Sequence, residues 1–594
     1  MLALIILLLG IVTKASSIPF DTNNTAEYDY VILGGGTCGL VIAARLSENP
    51  NVRIAVIEAG DSVQFNPNVT NTTSYGLSLG TSIDWAYTSL PQQYANNKSV
   101  TYHSGKSLGG TSTINGMTYM RAQKAQVDAW ELMGNPGWNW ESLLPHYKGS
   151  EMFEPPTIEQ QVLGAGCDLS AHGDSGPVTV SFNPSLLDGD THSLLNKTWS
   201  ALRVPWNADT NTGDVRGFNI WPQTLDGKAN VREDAARAYY YPIQDRSNLH
   251  VYLNSRADRI IWSDTSACDD VKATGVNLVS AIGEAKVIHA NREVILSTGS
   301  LQTPLLLERS GIGNPSILQQ FSIDTMVNLP NVGENLQDQV NTAISASASG
   351  NFSGYPTFAA SVNVDDLFGP TKDDVAQRIL SQLPSYAAEI SQASYGAVDP
   401  DVQEMLLRTQ VDLIFNRSTP VAEILSAFAS GPSGSVAVLP FWGLLPFARG
   451  SVHMSGKKIN DPPAINPNFF MLEWDRQLQV ATAKLARKLL TTAPLSSIVR
   501  AELAPGTEVP FDASDSVWLA WLKNNYSPNH HPIGTAAMLP KNLGGVVSPE
   551  LKVYGTSNVR IMDASVIPFQ VCGHLTSTLY AMAERAADII KTAA

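Results

Sequence analysis

Tyr28-Asp-Tyr-Val-Ile-Leu33, then Gly34-Gly-Gly36-Thr-Cys-Gly39, then Leu40-Val-Ile-Ala-Ala-Arg-Leu46 is the stretch on which the fold turns. Tyr28 to Leu33 closes in a β-branched apolar run that reads as a buried strand, and Leu40, Ile42, Ala43, Ala44 and Leu46 recur at helical spacing. Between them Gly34 permits a tight turn, Gly36 lets the backbone approach a pyrophosphate, and Gly39 lets helix and strand pack closely, so that the helix N-terminus faces phosphate charge. A second strand, Val52 to Ile57, ends at Glu58, about 20 residues past the turn, where a carboxylate accepts both ribose hydroxyls of an adenosine and repels the 2′-phosphate of NADP. Strand, glycine turn, helix, strand and acid together predict a Rossmann-like α/β fold that binds a dinucleotide.

The turn alone does not separate FAD from NAD. No second strand-plus-glycine site follows: Gly164-Ala-Gly166 lacks a third glycine at Leu169, and no hydrophobic strand leads into it. A flavoenzyme reduced by NAD(P)H needs such a second site, so the electrons are expected to come from the substrate.

A chain of 594 residues exceeds the ~250–300 at which single cores stop growing, so two domains are expected. A net charge of −15 argues against a nucleic-acid partner and fits a solvated acidic surface. Leu2 to Thr13 is an apolar run too short to span a bilayer, and with Lys14, Ala15, Ser16 and Ser17 it reads as a secretory signal peptide over 1–17. No later stretch reaches 18 uninterrupted apolar residues, so no membrane span is predicted. Eight Asn-x-Ser/Thr sequons, at Asn23, Asn68, Asn71, Asn97, Asn196, Asn351, Asn416 and Asn525, agree with a secreted or cell-wall glycoprotein. Four cysteines, Cys38, Cys167, Cys268 and Cys572, are too few and too scattered for a disulfide framework; one bridge at most is expected, between Cys167 and Cys268.

Two longer segments carry a resemblance. Gly105-Lys-Ser-Leu-Gly-Gly-Thr-Ser-Thr-Ile-Asn115-Gly-Met-Thr118 reads physically as a glycine-rich loop able to press against a flat ring, and Gly299-Ser-Leu-Gln-Thr-Pro304-Leu-Leu-Leu-Glu-Arg-Ser-Gly-Ile-Gly313 as a turn feeding a helix from Thr303 to Ser310. They resemble the two signatures of the glucose-methanol-choline (GMC) oxidoreductases. Val231-Arg-Glu-Asp-Ala-Ala-Arg-Ala-Tyr-Tyr240, Phe441-Trp-Gly-Leu-Leu-Pro-Phe-Ala-Arg-Gly450 and Asp563-Ala-Ser-Val-Ile-Pro-Phe-Gln-Val-Cys-Gly-His574 are most similar to fungal FAD-dependent glucose dehydrogenases and, more distantly, to glucose oxidases. The resemblance implies FAD as cofactor and a Rossmann-like FAD-binding domain assembled from 26–150, 226–325 and 526–594. A substrate-binding domain of sheet and helices is inserted as 151–225 and 326–525.

It also implies site residues. Flavin contacts beyond Gly34, Gly36, Thr37, Cys38, Gly39 and Glu58 are expected at Ala59, in the loop Asn115, Gly116, Met117 and Thr118, and at Ala257 on the adenine. Asp563 and Ala564 are expected near the pyrophosphate and Thr576 near the ring. Oxidising an alcohol needs a base for the hydroxyl proton and an acceptor for the hydride, and His531 and His574 occupy the family's paired active-site positions. His531 is expected to be the base, and His574 to orient the hydroxyl and stabilise the alkoxide. Adjacent His530 is expected to point elsewhere, and nothing supplies the remaining ligands of a metal site. A histidine anchors the flavin covalently in some relatives, in the first signature region; His103 lies slightly before it, and that offset argues against a link.

Gly173-Asp-Ser175-Gly-Pro177 looks like the nucleophile loop of a serine protease, but the strand and helix pattern gives the wrong architecture for a triad, and a polar surface loop is expected. In glucose-specific relatives a carboxylate and an arginine bind the sugar. Here Pro440 and Ser527 stand at those positions, while Tyr75, Trp442 and Asn529 remain as substrate residues. Proline offers no side-chain hydrogen bond and serine cannot bind bidentately, so the expected substrate is a less hydroxylated or more apolar alcohol, such as a fungal secondary metabolite, oxidised to a carbonyl or lactone. An external acceptor, quinone or oxygen, takes the electrons. The alternatives are a glucose or sugar dehydrogenase, a non-redox lyase or cyclase that holds FAD, and an inert flavin-binding protein.

Overall fold

The computed structural model describes residues 26–263 and 270–593. The expected leader, the sequon at Asn23 and the expected Cys167–Cys268 bridge, through Cys268, lie outside the described residues. One sheet gathers Ala26–Leu33, Ile54–Ile57, Leu249–Tyr252, Ala285–Leu296 and Val559–Ile561 as parallel strands. Val31, Ile32, Leu33, Ile54, Ala55 and Val56 are wholly buried, as a parallel strand covered on both faces requires. The strand Ala285–Leu296 is long enough to serve two partners on one edge: its first half pairs antiparallel with Ala273–Ser280, its last three residues parallel with Val559–Ile561. Tyr252, Ile57, Leu33, Leu296 and Ile561 stand in register. Glu58, Gly34, Ser297 and Met562-Asp563 therefore emerge along one edge, the carboxyl end where α/β sheets bind ligands.

The helix Thr37–Leu46 follows the first strand and packs on the C-terminal helix Leu575–Ala593. Arg45 grips Glu584 bidentately (2.7 and 2.8 Å), and the Tyr239 hydroxyl donates to the same carboxylate at 2.8 Å. The expected helix after the second signature runs Thr303–Arg309.

A second sheet is antiparallel throughout, in the order Val499–Ala504, Val340–Ala348, Gly434–Gly443, Ala422–Leu425, Phe358–Val362, Gly217–Ile220, with Ala427–Gly431 and Ser527–Pro528 at its margins. The helix Glu473–Thr491 covers one face, where Gly443 leaves room for Leu478: a Cβ there would lie 2.6 Å from Leu478 Cδ2. On the other face the register sets Asn341, Trp442 and Glu423 in one row and Ala343 and Pro440 in the next. The Gly173–Pro177 loop is a surface turn with Ser175 exposed. Among the described residues no helix is long and apolar enough to cross a membrane.

Candidate active site

A cavity of about 630 Å³ runs from the carboxyl edge of the first sheet to that row of the second. At its phosphate end the glycines are dictated by contact. Gly34 has φ +103°, and a Cβ there would lie 2.3 Å from the Ser297 carbonyl oxygen; a Cβ on Gly39 would lie 2.0 Å from that of Gly34. Gly110, from the first signature, sits so close to the turn that its Cβ would fall 2.7 Å from Gly36 Cα. Gly36 is the N-cap of the helix and provides no side-chain cap, so the first helical N–H groups keep their capacity for an anionic ligand.

Glu58 lines the same cavity and is buried, with Oε2 accepting from Gly35 N–H (2.9 Å) and Oε1 from Gly60 N–H (2.8 Å). Burial pushes its carboxyl up to about 7 against the pull of those N–H groups. Gly36, Thr37, Cys38, Ala59, Ala257 and Ala564 line the cavity as the sequence places them. Asp563 does too, and it ties the second signature to the C-terminal segment by accepting from Gly299 N–H (2.9 Å) and the Thr303 hydroxyl (2.6 Å). Gly39 and Met117 are not on the wall. Gly39 is spent on helix–strand packing, and Met117, wholly buried at φ +62°, donates its N–H to Asn115 Oδ1 at 3.0 Å.

Farther along, Asn115, Gly116, Thr118 and Thr576 form a polar ledge of the wall, with Asn115 Nδ2 donating to the Thr576 hydroxyl at 3.2 Å. Arg232, only 1 % exposed, holds this ledge from behind, donating to Asn115 Oδ1 (2.7 Å), Ser112 O (3.2 Å) and Val69 O (2.9 Å). A glycine cradle without Cβ atoms, a buried acid with free lone pairs and a polar ledge fit the pyrophosphate, ribose and ring system of FAD in that order.

The two histidine rings meet at the far end, centroids 5.2 Å apart at 86°. Burial, then the neighbouring His574 and His530, holds the His531 imidazole well below the usual histidine range, so it is neutral and able to accept a proton. Its Nδ1 lies 2.9 Å from Gln339 Oε1, its backbone N–H donates to Asp338 Oδ1 at 3.0 Å, and its carbonyl accepts from Gln570 Nε2 at 2.7 Å. His574 Nε2 lies 3.3 Å from Oε1 of the wholly buried Glu423, and its ring stands edge-on to Trp442. Asp338, Gln339 and Glu423 support the expected site residues without any local sequence signal of their own, and Arg232 does so from within a segment that carried the resemblance.

His530 adopts φ +62° and turns from His531 toward His103, its Nδ1 accepting from the His103 N–H at 3.3 Å. His103 also lines the cavity, with Nδ1 held 2.5 Å from Asp84 Oδ2. Tyr75, Trp442 and Asn529 are on the wall, joined by Trp221, Tyr355, Leu425 and Pro440; Ser527 is exposed on its short strand and does not line the cavity. Among the described residues no group of three or more His, Cys, Asp or Glu side chains is arranged to hold a metal ion.

Residues 28–341 and 446–583 match the N-terminal and C-terminal parts of the family described as GMC oxidoreductase. The chain is 44 % identical over 570 residues to the glucose oxidase-like protein fsoC of Humicola fuscoatra, covering 96 % of each, and 34 % identical to a glucose oxidase of Aspergillus carbonarius, covering 95 % of this chain and 92 % of that one. Among solved structures, an FAD-dependent oxidoreductase from Chaetomium thermophilum superposes with a TM-score of 0.86 at 27 % identity over 95 % of this chain and 99 % of the other. A fungal aryl-alcohol oxidase does so at 0.82 and 28 % over the same shares. The chain therefore belongs to the GMC oxidoreductases, and it is an FAD-dependent enzyme that oxidises alcohols.

Proposed function

We propose that the substrate is an alcohol with an apolar or aromatic skeleton, not glucose, and that His531 is the base that removes its hydroxyl proton. The observation that carries this reading is the composition of the wall around the histidine pair. Tyr75, Trp221, Tyr355, Leu425, Pro440 and Trp442 present rings and methyl groups. The amide on this wall is engaged, since Asn529 Oδ1 accepts from Asn341 Nδ2 and Asn529 Nδ2 donates to Gln339, both at 2.8 Å, and the unpartnered Trp221 and Trp442 indole N–H groups can only donate. A sugar would leave most of its hydroxyls unpaired against such a wall, at about 1–3 kcal/mol for each buried one.

Bound FAD supplies the hydride acceptor. The neutral His531 takes the hydroxyl proton on Nε2, the nitrogen that Gln339 leaves free. His574, backed by Glu423, faces the same point from the other side and stabilises the developing alkoxide. The reacting carbon leaves as a carbonyl or, from a lactol, as a lactone. Quinone or oxygen then restores the oxidised enzyme.

The relatives named as glucose oxidases favour a second reading, a sugar as substrate. Anaerobic mixing of the enzyme with benzylic, aliphatic and sugar alcohols distinguishes the two. Bleaching of the flavin by benzylic or aliphatic alcohols, and not by glucose, is expected; efficient bleaching by glucose overturns the proposal. Product formation with unbleached flavin would instead indicate a lyase or cyclase.

We further place the protein in the secretory pathway. Asn71, Asn97, Asn351, Asn416 and Asn525 are exposed and support glycosylation, whereas the sequon at Asn196 ends in the wholly buried Thr198. Glycopeptide mapping of protein secreted by a fungal host should find glycans among the first five and none at Asn196.

A further inference from the structure

We propose that Gln339 is a positioning residue that fixes His531 as the Nδ1–H tautomer and so delivers the basic lone pair, on Nε2, to the substrate. This rests on the reading of His531 as the base and adds what makes that nitrogen available.

The argument begins at a backbone carbonyl. Gln339 is 1 % exposed, so its amide must find partners within the protein. On one side its Nε2 lies 3.1 Å from the carbonyl oxygen of Leu444, which can only accept. The amide nitrogen must therefore face Leu444 and Oε1 must face the other way; the reverse flip would set two oxygens against each other. Oε1 then meets Asn529 Nδ2 at 2.8 Å and His531 Nδ1 at 2.9 Å, and Asn529 Nδ2 also lies 3.1 Å from the same Nδ1. The Asn529 amide is satisfied at its shorter contact, by donating to Oε1, and Oε1 is also the nearer neighbour of Nδ1; an amide oxygen can only accept, so Nδ1 carries the proton and Nε2 does not. The frame around this contact is fixed as well: the Asn529 N–H donates to the Gln339 carbonyl at 2.9 Å, and Gln337 and Ile533 exchange backbone hydrogen bonds at 3.2 and 3.0 Å.

An amide suits this position better than an acid. The charged or titratable groups that face His531 are His574, its neighbour His530, and Asp338 at its backbone N–H, with Glu423 beyond His574. None of these carboxylates reaches the His531 ring. A carboxylate at 339 would do so, and it would hold the ring as a cation with no lone pair to offer.

The test is ¹⁵N NMR of the holoenzyme labelled at histidine, with the His531 signals identified as those missing from the His531→Asn variant. Wild type should show a protonated Nδ1 and an unprotonated Nε2 at about pH 7. Gln339→Glu should show both nitrogens protonated there, with the deprotonation midpoint raised above about pH 7, the direction expected beside a carboxylate. Gln339→Leu should show a mixture of the two tautomers. A wild-type His531 protonated on Nε2 overturns the proposal without any variant, and so does a Gln339→Glu protein with wild-type signals. The base assignment stands or falls separately, on flavin reduction by His531→Ala. If that variant is slow and the Gln339 variants leave the tautomer unchanged, only the positioning role is lost.

Discussion

His531 and His453 are both largely enclosed imidazoles, and their partners give them opposite states. His453 Nδ1 lies 2.7 Å from Glu308 Oε1 and its Nε2 3.1 Å from Glu334 Oε1. Burial alone would lower its pKa, but hydrogen bonds to the two carboxylates and their attraction outweigh it and push the ring up to about 10. It is a fixed cation pinning the helix Thr303–Arg309 to the strand Ser451–Met454. Around His531 the same burial meets an amide and two other imidazoles, and the ring is held neutral. Burial does not decide whether an imidazole acts as a structural cation or a base; the acceptor beside it does.

The sharpest way to break this contrast is to exchange the outcomes. His453→Ala should leave Glu308 and Glu334 buried without a counter-charge and cost about 3–5 kcal/mol in unfolding free energy. The reduction rate per bound flavin should stay within about twofold of wild type, since His453 is not on the cavity wall. His531→Ala should do the reverse, slowing flavin reduction by roughly 10²-fold or more, about 2.7 kcal/mol, with flavin content and melting temperature preserved.

The pH dependence sharpens the same point. His453 is raised in the folded state to about 10, so its contribution is fully present below the unfolded value of about 6.5 and is lost as pH rises toward 10. The melting temperature of wild type should therefore fall across that window more steeply than that of His453→Gln, as differential scanning calorimetry can read.

Smaller effects probe the substrate end. Glu423→Gln removes the charge behind His574 and should slow reduction about tenfold, the worth of one charge-assisted hydrogen bond, without raising KM in proportion. Pro440→Asp restores a carboxylate to the cavity wall. Its effect on apolar alcohols should be a loss of about threefold to tenfold in kcat/KM, with any activity on glucose rising relative to them.

Much of the flavin end was legible in the sequence because it is local. The strand, the Gly34 to Gly39 turn and the helix are contiguous, and Glu58 follows in the next strand, so spacing alone predicts their convergence. The expected cavity residues came together apart from Gly39 and Met117, whose tight packing and backbone geometry keep them off the wall. The histidine supports were not legible. Gln339 precedes His531 by 192 residues and Glu423 precedes His574 by 151, and each is placed by strand pairing between distant segments. Arg232 lay within a segment that carried the resemblance, yet its three bonds to the flavin ledge depend on the fold bringing 69, 112 and 115 around one guanidinium. Ser527 shows the opposite case: the resemblance sets it where glucose-specific relatives carry a sugar-binding arginine, and the structure turns it outward.

The account stands most directly on anaerobic stopped-flow of the holoenzyme against benzyl alcohol, a long-chain aliphatic alcohol and glucose, for wild type and His531→Ala side by side. The prediction is flavin bleaching of wild type by at least one of the first two, faster than by glucose and slowed roughly 10²-fold or more in the variant. Bleaching by glucose alone, or a His531→Ala protein that bleaches at the wild-type rate, would contradict it.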